Sequence, residues 1–399
     1  LREFKVAILG WEAPTRDGAI TGSGVYLNYL SKLGKFSRSR GINVDLTFII
    51  PGEKDRLVQE DGYKILTLKI PGFSKCRRYD GEVLYPSSKS FANRLAKDKN
   101  PIDVKKFDLI LANSFAFGEF IQKAGLENIA YVSHRPEFLR IKLAKKFNID
   151  AGHERRLMRD AELEAKAVKN SEYTITVSAA CKKELAKRYR RAKIHVIPNG
   201  IDTNIFTKVK TSSNGNKRIF TYVGRSHPEK GVTLFIQSAR RLIDEGEKDF
   251  ELWLITDDKP RLRAMLKNLA LLNCTRLWNW RRWSELPTFY SKSTFTVMPS
   301  YWESFCYVVA ESLSCGTPVI ASTAGALPEL VGDGVGLLFH VGNEDELTKR
   351  LLEACTYTLE DVREMGRRGR GKIKRSFSKE IFLNNYLKFI DMATDGGLF

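Results

Sequence analysis

Residues 294–321, TFTVMPSYWESFCYVVAESLSCGTPVIA, decide the fold. The run 294–299 is almost continuously apolar and reads as a strand buried on both faces. Residues 307–315 read as a helix ending at Cys315-Gly316-Thr317-Pro318, and 318–321 read as the next strand. Near-continuous apolar strands punctuated by helices point to a parallel sheet covered on both sides. The same alternation runs outward from here. Upstream, 218–223 and 250–255 read as strands, 231–245 and 261–272 as helices. Nearer the start, strands are expected at 5–10, 44–50, 64–70, 107–112, 129–133 and 173–177. Helical stretches fall at 24–33, 115–124 and 154–168.

The alternation is interrupted once. After 194–198 come Asn199-Gly200-Ile201-Asp202, a turn signal, and then the polar stretch TSSNGNK at 211–217, of the kind that separates domains. The expected organisation is an N-terminal α/β domain over 1–200, a C-terminal α/β domain over 201–378, and a helical tail over 379–399. Within that tail, 379–392 is amphipathic and is expected to pack back on the first domain. Two doubly wound parallel sheets facing across a cleft would bind ligands at the carboxyl ends of their strands.

The chain has 399 residues, 43% hydrophobic and 28% charged, with only 29 Gly and 13 Pro. That composition excludes a disordered or collagen-like chain and supplies ample core. No apolar run approaches the ~18 residues that span a bilayer, and the first residues carry no cleavable signal pattern. A soluble cytoplasmic protein is expected. Six cysteines, none in C-x-x-C spacing, and five dispersed histidines argue against zinc and for free thiols. No D-x-D occurs, so no metal site is expected, and Asp257-Asp258 reads as a strand-end loop.

The net charge of +19 is uneven: residues 1–200 carry 38 Lys+Arg against 23 Asp+Glu, the remainder 28 against 24. An excess on one domain points to an anionic partner there, a membrane surface, an acidic or phosphorylated acceptor, or nucleic acid. The plainer reading is a surface tuned for solubility. Contributors would come from Arg77-Arg78, Lys142, Lys145-Lys146, Arg155-Arg156 and Arg190-Arg191.

Four local constellations could carry chemistry. In PSYWESFC at 299–306, Glu303 stands at a strand's carboxyl end and Glu311 on the following helix. The amides around Ser304–Tyr307 start that helix and can cradle phosphate. A carboxylate would repel that phosphate, so Glu303 is better suited to accepting hydroxyl donors; simple helix capping is the competing reading. In GRSHPEKG at 224–231, Arg225 offers a planar fork and Lys230 a point charge for a diphosphate, although an exposed basic turn would look the same. It is no Walker loop. Gly22 and Gly24, opening the first helix, permit close backbone approach to a ligand, or simply a turn. His134 ends the strand 129–133, where a structural histidine is the commoner outcome.

Together these pieces resemble the retaining glycosyltransferases of family 4, with the GT-B fold, over nearly the whole chain. PSYWESFCYVVAESLSCGTPVIAS at 299–322 matches their E-x7-E signature and following strand. VIPNGID at 196–202 matches their interdomain segment. Gly224-Arg225 with Glu229-Lys230-Gly231 matches their diphosphate loop, and Gly325-Ala326-Leu327-Pro328-Glu329 resembles their G-G-x-P-E loop. The resemblance implies that Arg225 and Lys230 hold the diphosphate of a nucleotide-sugar, with Gly224 and the amides of Phe305, Cys306 and Tyr307 adding phosphate contacts. Glu303 would bind the donor sugar and Glu311 the ribose. Gly22 and Gly24 would approach the donor, and His134 would lie beside the transferred sugar. The implied activity is metal-independent, retaining transfer to a glycan, lipid-linked or other acceptor, without a cofactor and at a cytoplasmic, peripheral membrane location.

The sequence departs from the family in three places. Cys306 replaces a usual glycine, so reduced backbone freedom is expected there. Residues 256–260, TDDKP, replace a glycine-rich loop. LWNWRRW at 277–283 replaces an F-x-G pattern, so base recognition transfers least. The rival readings are a sugar phosphorylase on the same fold, for which no pyridoxal-phosphate lysine motif is visible, and, well below it, a basic nucleic-acid binder.

Overall fold

The computed structural model describes residues 3–11, 14, 22–70, 78–79, 82–83, 88–95, 103–147, 151–211, 217–332 and 334–394. The chain forms two compact units: Leu1–Gly200 together with Phe382–Phe399, and Ile201–Ile381. Most of the polar stretch 211–217, Cys76 and Arg77 lie outside the described residues.

The first unit holds an eight-stranded sheet in the order Ile194–Val196, Tyr173–Thr176, Ile129–Ser133, Leu109–Ala112, Glu3–Leu9, Asn43–Gly52, Tyr63–Lys69, Arg56–Glu60. Every neighbouring pair is parallel except the last. From Glu3–Leu9 the chain builds outward on one side, then returns to build on the other. The strand order therefore reverses beside Leu9 and Ala112, which pair in register. The antiparallel edge strand Arg56–Glu60 has no apolar alternation to reveal it; Leu57 on it is 60% exposed.

The helix expected over 24–33 is two helices, Gly22–Leu30 and Leu33–Arg38. Between them the Ser31 hydroxyl donates to the Asn28 carbonyl, 2.8 Å away, and so competes with the helical ladder. Residues 115–124 likewise open with a 3-10 turn, Phe115–Phe117, capped by Ser114, before the helix Gly118–Ala124. The last helix, Lys379–Ala393, presents Phe382 and Tyr386 to Tyr26, and Phe389 to Tyr173 and His195. The Tyr26 and Tyr386 hydroxyls hydrogen-bond to each other.

The second unit holds a six-stranded, wholly parallel sheet: Thr275–Trp278, Phe250–Ile255, Arg218–Val223, Phe295–Met298, Val319–Ser322, Gly336–Phe339. Its core joins Phe220, Leu252, Val297 and Ile320 to Phe235, Ile236 and Ala239 of the helix Val232–Asp244. Here the strand order reverses between Arg218–Val223 and Phe295–Met298. The loops that leave these two strands, 224–231 and 299–306, flank the place where open α/β sheets bind ligands.

Candidate active site

The two loops are joined by main chain. The Tyr301 amide donates to the Glu229 carbonyl at 2.8 Å. Gly231 has φ +69°, and a Cβ there would stand 2.1 Å from the Pro299 carbonyl oxygen, so only glycine lets the loops approach this closely. Gly325 does the same from a third loop: its Cβ would meet the Glu303 carbonyl oxygen at 2.0 Å, and the neighbouring Ala326 amide donates to that oxygen at 2.9 Å.

This backbone brings Lys230 and Glu303 together. Lys230 Nζ donates to Glu303 Oε1 at 2.8 Å, and the Ser300 hydroxyl donates to the same oxygen at 2.8 Å. The side chains are 22% and 11% exposed. Burial alone would lower the Lys230 pKa, but the Glu303 carboxylate outweighs it and the ammonium is held above its ordinary value. Glu303 does not cap the following helix: Cys306 occupies that position, with no side-chain cap bond. Arg225 is exposed, on a loop fixed from beneath. The Tyr222 hydroxyl donates to the Arg225 carbonyl at 2.6 Å, and the Ser226 amide and hydroxyl donate to Asp257 Oδ1 at 2.7 and 2.8 Å. Burial would raise the Asp257 pKa, but the Ser226 hydrogen bonds outweigh it and keep the carboxyl below its usual range. Arg261, immediately after the TDDKP segment, donates to the Ser226 carbonyl at 2.8 Å.

The helix Tyr307–Ser314 begins immediately after, with its amides at the switch point. Ser304 and Tyr307 are half-buried and Phe305 is buried, its ring 5.3 Å from that of Tyr307. Cys306 is buried and adopts φ +78°, ψ +85°, a conformation that costs a non-glycine residue about 1–3 kcal/mol. The reduced freedom expected of a cysteine there thus shows as strain, not as a different backbone. Burial pushes its thiol well above the ordinary value, so the sulfur is a neutral packing group.

Glu311 stands apart from the Lys230–Glu303 pair. Its carboxylate accepts from Trp283 Nε1 at 2.9 Å and from the Tyr290 hydroxyl at 2.8 Å. Burial pushes its pKa up to about 7. Each oxygen retains a second lone pair for a hydroxyl donor. Trp283 closes the LWNWRRW segment, so the departure from the family pattern touches the very carboxylate that the resemblance assigns to ribose.

In the first unit, His134 follows the strand Ile129–Ser133 and its Nε2 hydrogen-bonds Asn113 Oδ1 at 2.7 Å. Asn113 follows the neighbouring strand Leu109–Ala112. Burial lowers the His134 pKa to about 4, so the ring is neutral at physiological pH. Tyr26, on the helix that Gly22 opens and in which Gly24 is buried, packs edge-on against it at 4.6 Å. Asn113 and Tyr290 lie in none of the segments singled out above; Asp257, Trp283 and Ser300 lie in TDDKP, LWNWRRW and PSYWESFC, where none was given a role at the site. Among the described residues, no group of three or more His, Cys, Asp or Glu could hold a metal ion.

Comparison with known proteins bears on family and fold. Residues 28–205 match Glycosyltransferase Family 4 and residues 204–372 match Glycosyl transferases group 1. The chain is 28% identical over 226 residues to the MMP alpha-(1->4)-mannosyltransferase of Mycolicibacterium hassiacum, covering 54% of this chain and 53% of that protein. The chain spans between 53% and 62% of the length of the first curated relatives it matches. Among solved structures, sucrose-phosphate synthase from Thermosynechococcus elongatus superposes with a TM-score of 0.73 at 19% identity, over 97% of this chain and 98% of that one. Anabaena HepE in complex with UDP-glucose superposes with a TM-score of 0.65 at 15% identity, over 98% and 100%. Two family matches that together cover residues 28–372 agree with a shared GT-B fold, and the chain belongs to the group 1 glycosyltransferases of family 4.

Proposed function

We propose that the chain is a retaining, metal-independent glycosyltransferase that moves a sugar from a nucleoside-diphosphate sugar to an acceptor hydroxyl. The observation that carries this reading is the Lys230–Glu303 pair, held by two loops at one switch point beside Arg225 and a helix N-terminus. In the proposed reaction the bond from the anomeric carbon to the diphosphate oxygen breaks, and its electron pair stays on that oxygen. Arg225, Lys230 and the helix amides stabilise the charge that develops. The acceptor oxygen attacks from the leaving-group face, and its proton passes to the departing phosphate. Glu303 accepts sugar hydroxyls instead of acting as a nucleophile, and Glu311 accepts a ribose hydroxyl. His134, which the family resemblance puts at the transferred sugar, acts as a neutral imidazole. The structure of HepE with UDP-glucose supports a nucleotide-sugar donor.

The acceptor is proposed to be an anionic or lipid-linked glycan reached from a membrane face. Exposed Lys142, Lys145, Lys146 and Arg155 on the helices Glu137–Lys146 and Ala151–Asn170 support this, each basic residue contributing about 1 kcal/mol near an anionic surface. Among the described residues no helix is long and apolar enough to cross a membrane.

The test is release of nucleoside diphosphate from a panel of UDP-, GDP- and ADP-sugars, with EDTA present. Acceptor-dependent release that EDTA leaves intact is expected. Turnover of sugar 1-phosphates alone, or activity lost in EDTA and restored by Mn²⁺, would overturn the reading.

A further inference from the structure

The second unit contains a cavity away from the loops described above. It has a volume of about 380 Å³, near the lower end of the ~300–1,000 Å³ usual for small-molecule sites. Its lining comes from Lys217, Glu251, Trp253, Arg276 and Trp278 at the edge of the sheet, with Phe289 and Lys292 from the helix Leu286–Lys292. Ile219, near the amino end of its strand, also faces it. Ile219 lies five positions before Gly224, about 16 Å along the strand from the loop that starts there, while Trp278 pairs with Ile255 at the level of Val223, two strands or about 10 Å to the side.

Three features define what would fit. The walls are aromatic: Trp253, Trp278 and Phe289 meet edge-to-face with centroids 5.4–6.3 Å apart. The rim is cationic, with Lys217, Arg276 and Lys292 against one carboxylate. That carboxylate, Glu251, accepts from Trp253 Nε1 at 3.0 Å and from Arg276 Nη2 at 3.3 Å, and lies 3.7 Å from Lys217. A net positive rim calls for an anion, but a carboxylate in the lining would repel a ligand that is only an anion. A ligand with hydroxyls as well lets Glu251 accept from it. The third feature is the Trp278 indole N–H, which has no hydrogen-bond partner among the described residues and, closed to a water-sized atom as the side chain stands, meets a ligand oxygen only on a small rotation of the indole. A buried donor without an acceptor is costly, and a ligand oxygen would satisfy it.

We propose that this cavity is a second small-molecule site, separate from the candidate active site, which takes an anionic monosaccharide: a pyranose carrying a carboxylate or a phosphate. The aromatic walls receive the sugar's C–H faces, the Lys/Arg rim its charge, and Glu251 and Trp278 its hydroxyls. The volume limits the ligand to about a single sugar, not a polymer.

Calorimetry on the intact chain, with UDP held in excess, tests this using glucuronate, glucose 6-phosphate, glucose and inorganic phosphate as probes. At least one acidic sugar should bind, and glucose and phosphate should each bind roughly tenfold more weakly or worse; which acid binds identifies the charged group. Lys217→Glu should weaken binding at least tenfold, since its side chain is 51% exposed and carries no core packing. Trp278→Phe, which keeps a ring but loses the N–H, should weaken it severalfold while circular dichroism shows an intact fold. The proposal is overturned if neither acidic sugar gives heat, if phosphate alone binds as well, if UDP displaces the sugar, or if both folded variants bind as the parent does. A single-stranded oligonucleotide that binds through these residues while the sugars do not would equally overturn it.

Discussion

The two sheets reverse their strand order in the same way, yet the reversals carry opposite chemistry. In the second unit the loops at the switch point hold an ion pair, Lys230–Glu303, with Arg225 and a helix N-terminus alongside. In the first unit the strand ends beside the reversal hold a neutral pair, Asn113 after one of the two switch-point strands and His134 after its outer neighbour, whose imidazole burial keeps uncharged. Net charge is distributed the other way, with most of the excess on residues 1–200. The charges that suit the leaving group are therefore few and placed, while the numerous ones cover a surface. A switch point fixes where chemistry can occur, and the side chains at the strand ends decide which.

The largest expected effect comes from removing the placed cations. Arg225→Ala and Lys230→Ala should each lower transfer by ~10²–10³-fold, the usual worth of one preorganised charge-stabilising donor. His134→Ala removes a neutral hydrogen bond worth about 1 kcal/mol, so a loss of roughly five- to tenfold is expected. Steady-state rates on variants with parental melting curves decide it, Arg225→Ala most cleanly because that side chain is exposed. Equal losses in both units would break the comparison.

A second, smaller effect separates the two glutamates. Glu303→Gln should impair transfer and spare UDP binding, whereas Glu311→Gln should weaken UDP itself. Glu311 titrates at about 7. A ribose hydroxyl donates better to the charged form, so UDP affinity should rise as pH increases from 6 to 8, by up to about tenfold for a pKa shift of one unit. His134 is already neutral above about pH 4 and adds no step in that range. Titration calorimetry across pH should show a steeper slope in the parent than in Glu311→Gln, which keeps only the part due to the terminal phosphate of UDP, whose second ionisation lies at ~6. A slope unchanged by the substitution assigns the titration elsewhere.

Much of this architecture was legible because burial on both faces leaves a strand few polar positions. The strands 129–133 and 250–255 read to the residue for that reason. Arg56–Glu60 was not legible: as an edge strand with mixed exposure its residues, RLVQE, show neither a continuous apolar run nor alternation. At the site, Lys230 and Glu303 stood out from their loops, but their contact spans 73 positions and no local pattern encodes it. The bonds of Trp283 and Tyr290 to Glu311 likewise join elements that periodicity treats separately. The only trace was a tryptophan-rich segment where a glycine pattern was expected.

The smallest expected effect concerns backbone strain. Among the described residues, the non-glycine residues with positive φ are Ala270 and Cys306, both in the second unit. Cys306→Gly should relieve the strained backbone at the cost of a buried side chain, leaving stability within about 1 kcal/mol of the parent. Cys306→Val should destabilise by ~1–3 kcal/mol, because a β-branched residue tolerates that conformation least. Urea unfolding midpoints read both, and a stabilising valine would sink the strain argument.

The Lys230–Glu303 contact acts as a conjunction. Each partner satisfies the other, and parting them strands a charge in a site with little access to water. An inorganic diphosphate can compensate Lys230 but leaves the Glu303 carboxylate with the Ser300 hydroxyl and no cation. A free sugar can compensate Glu303 but leaves Lys230 without an anion. Only a molecule that brings both at the right separation meets both demands. A fragment of the donor should therefore bind out of proportion to its share of the contacts, far more weakly than the whole. The pair would in that way discriminate intact donor from its own breakdown products without a single residue dedicated to rejecting them.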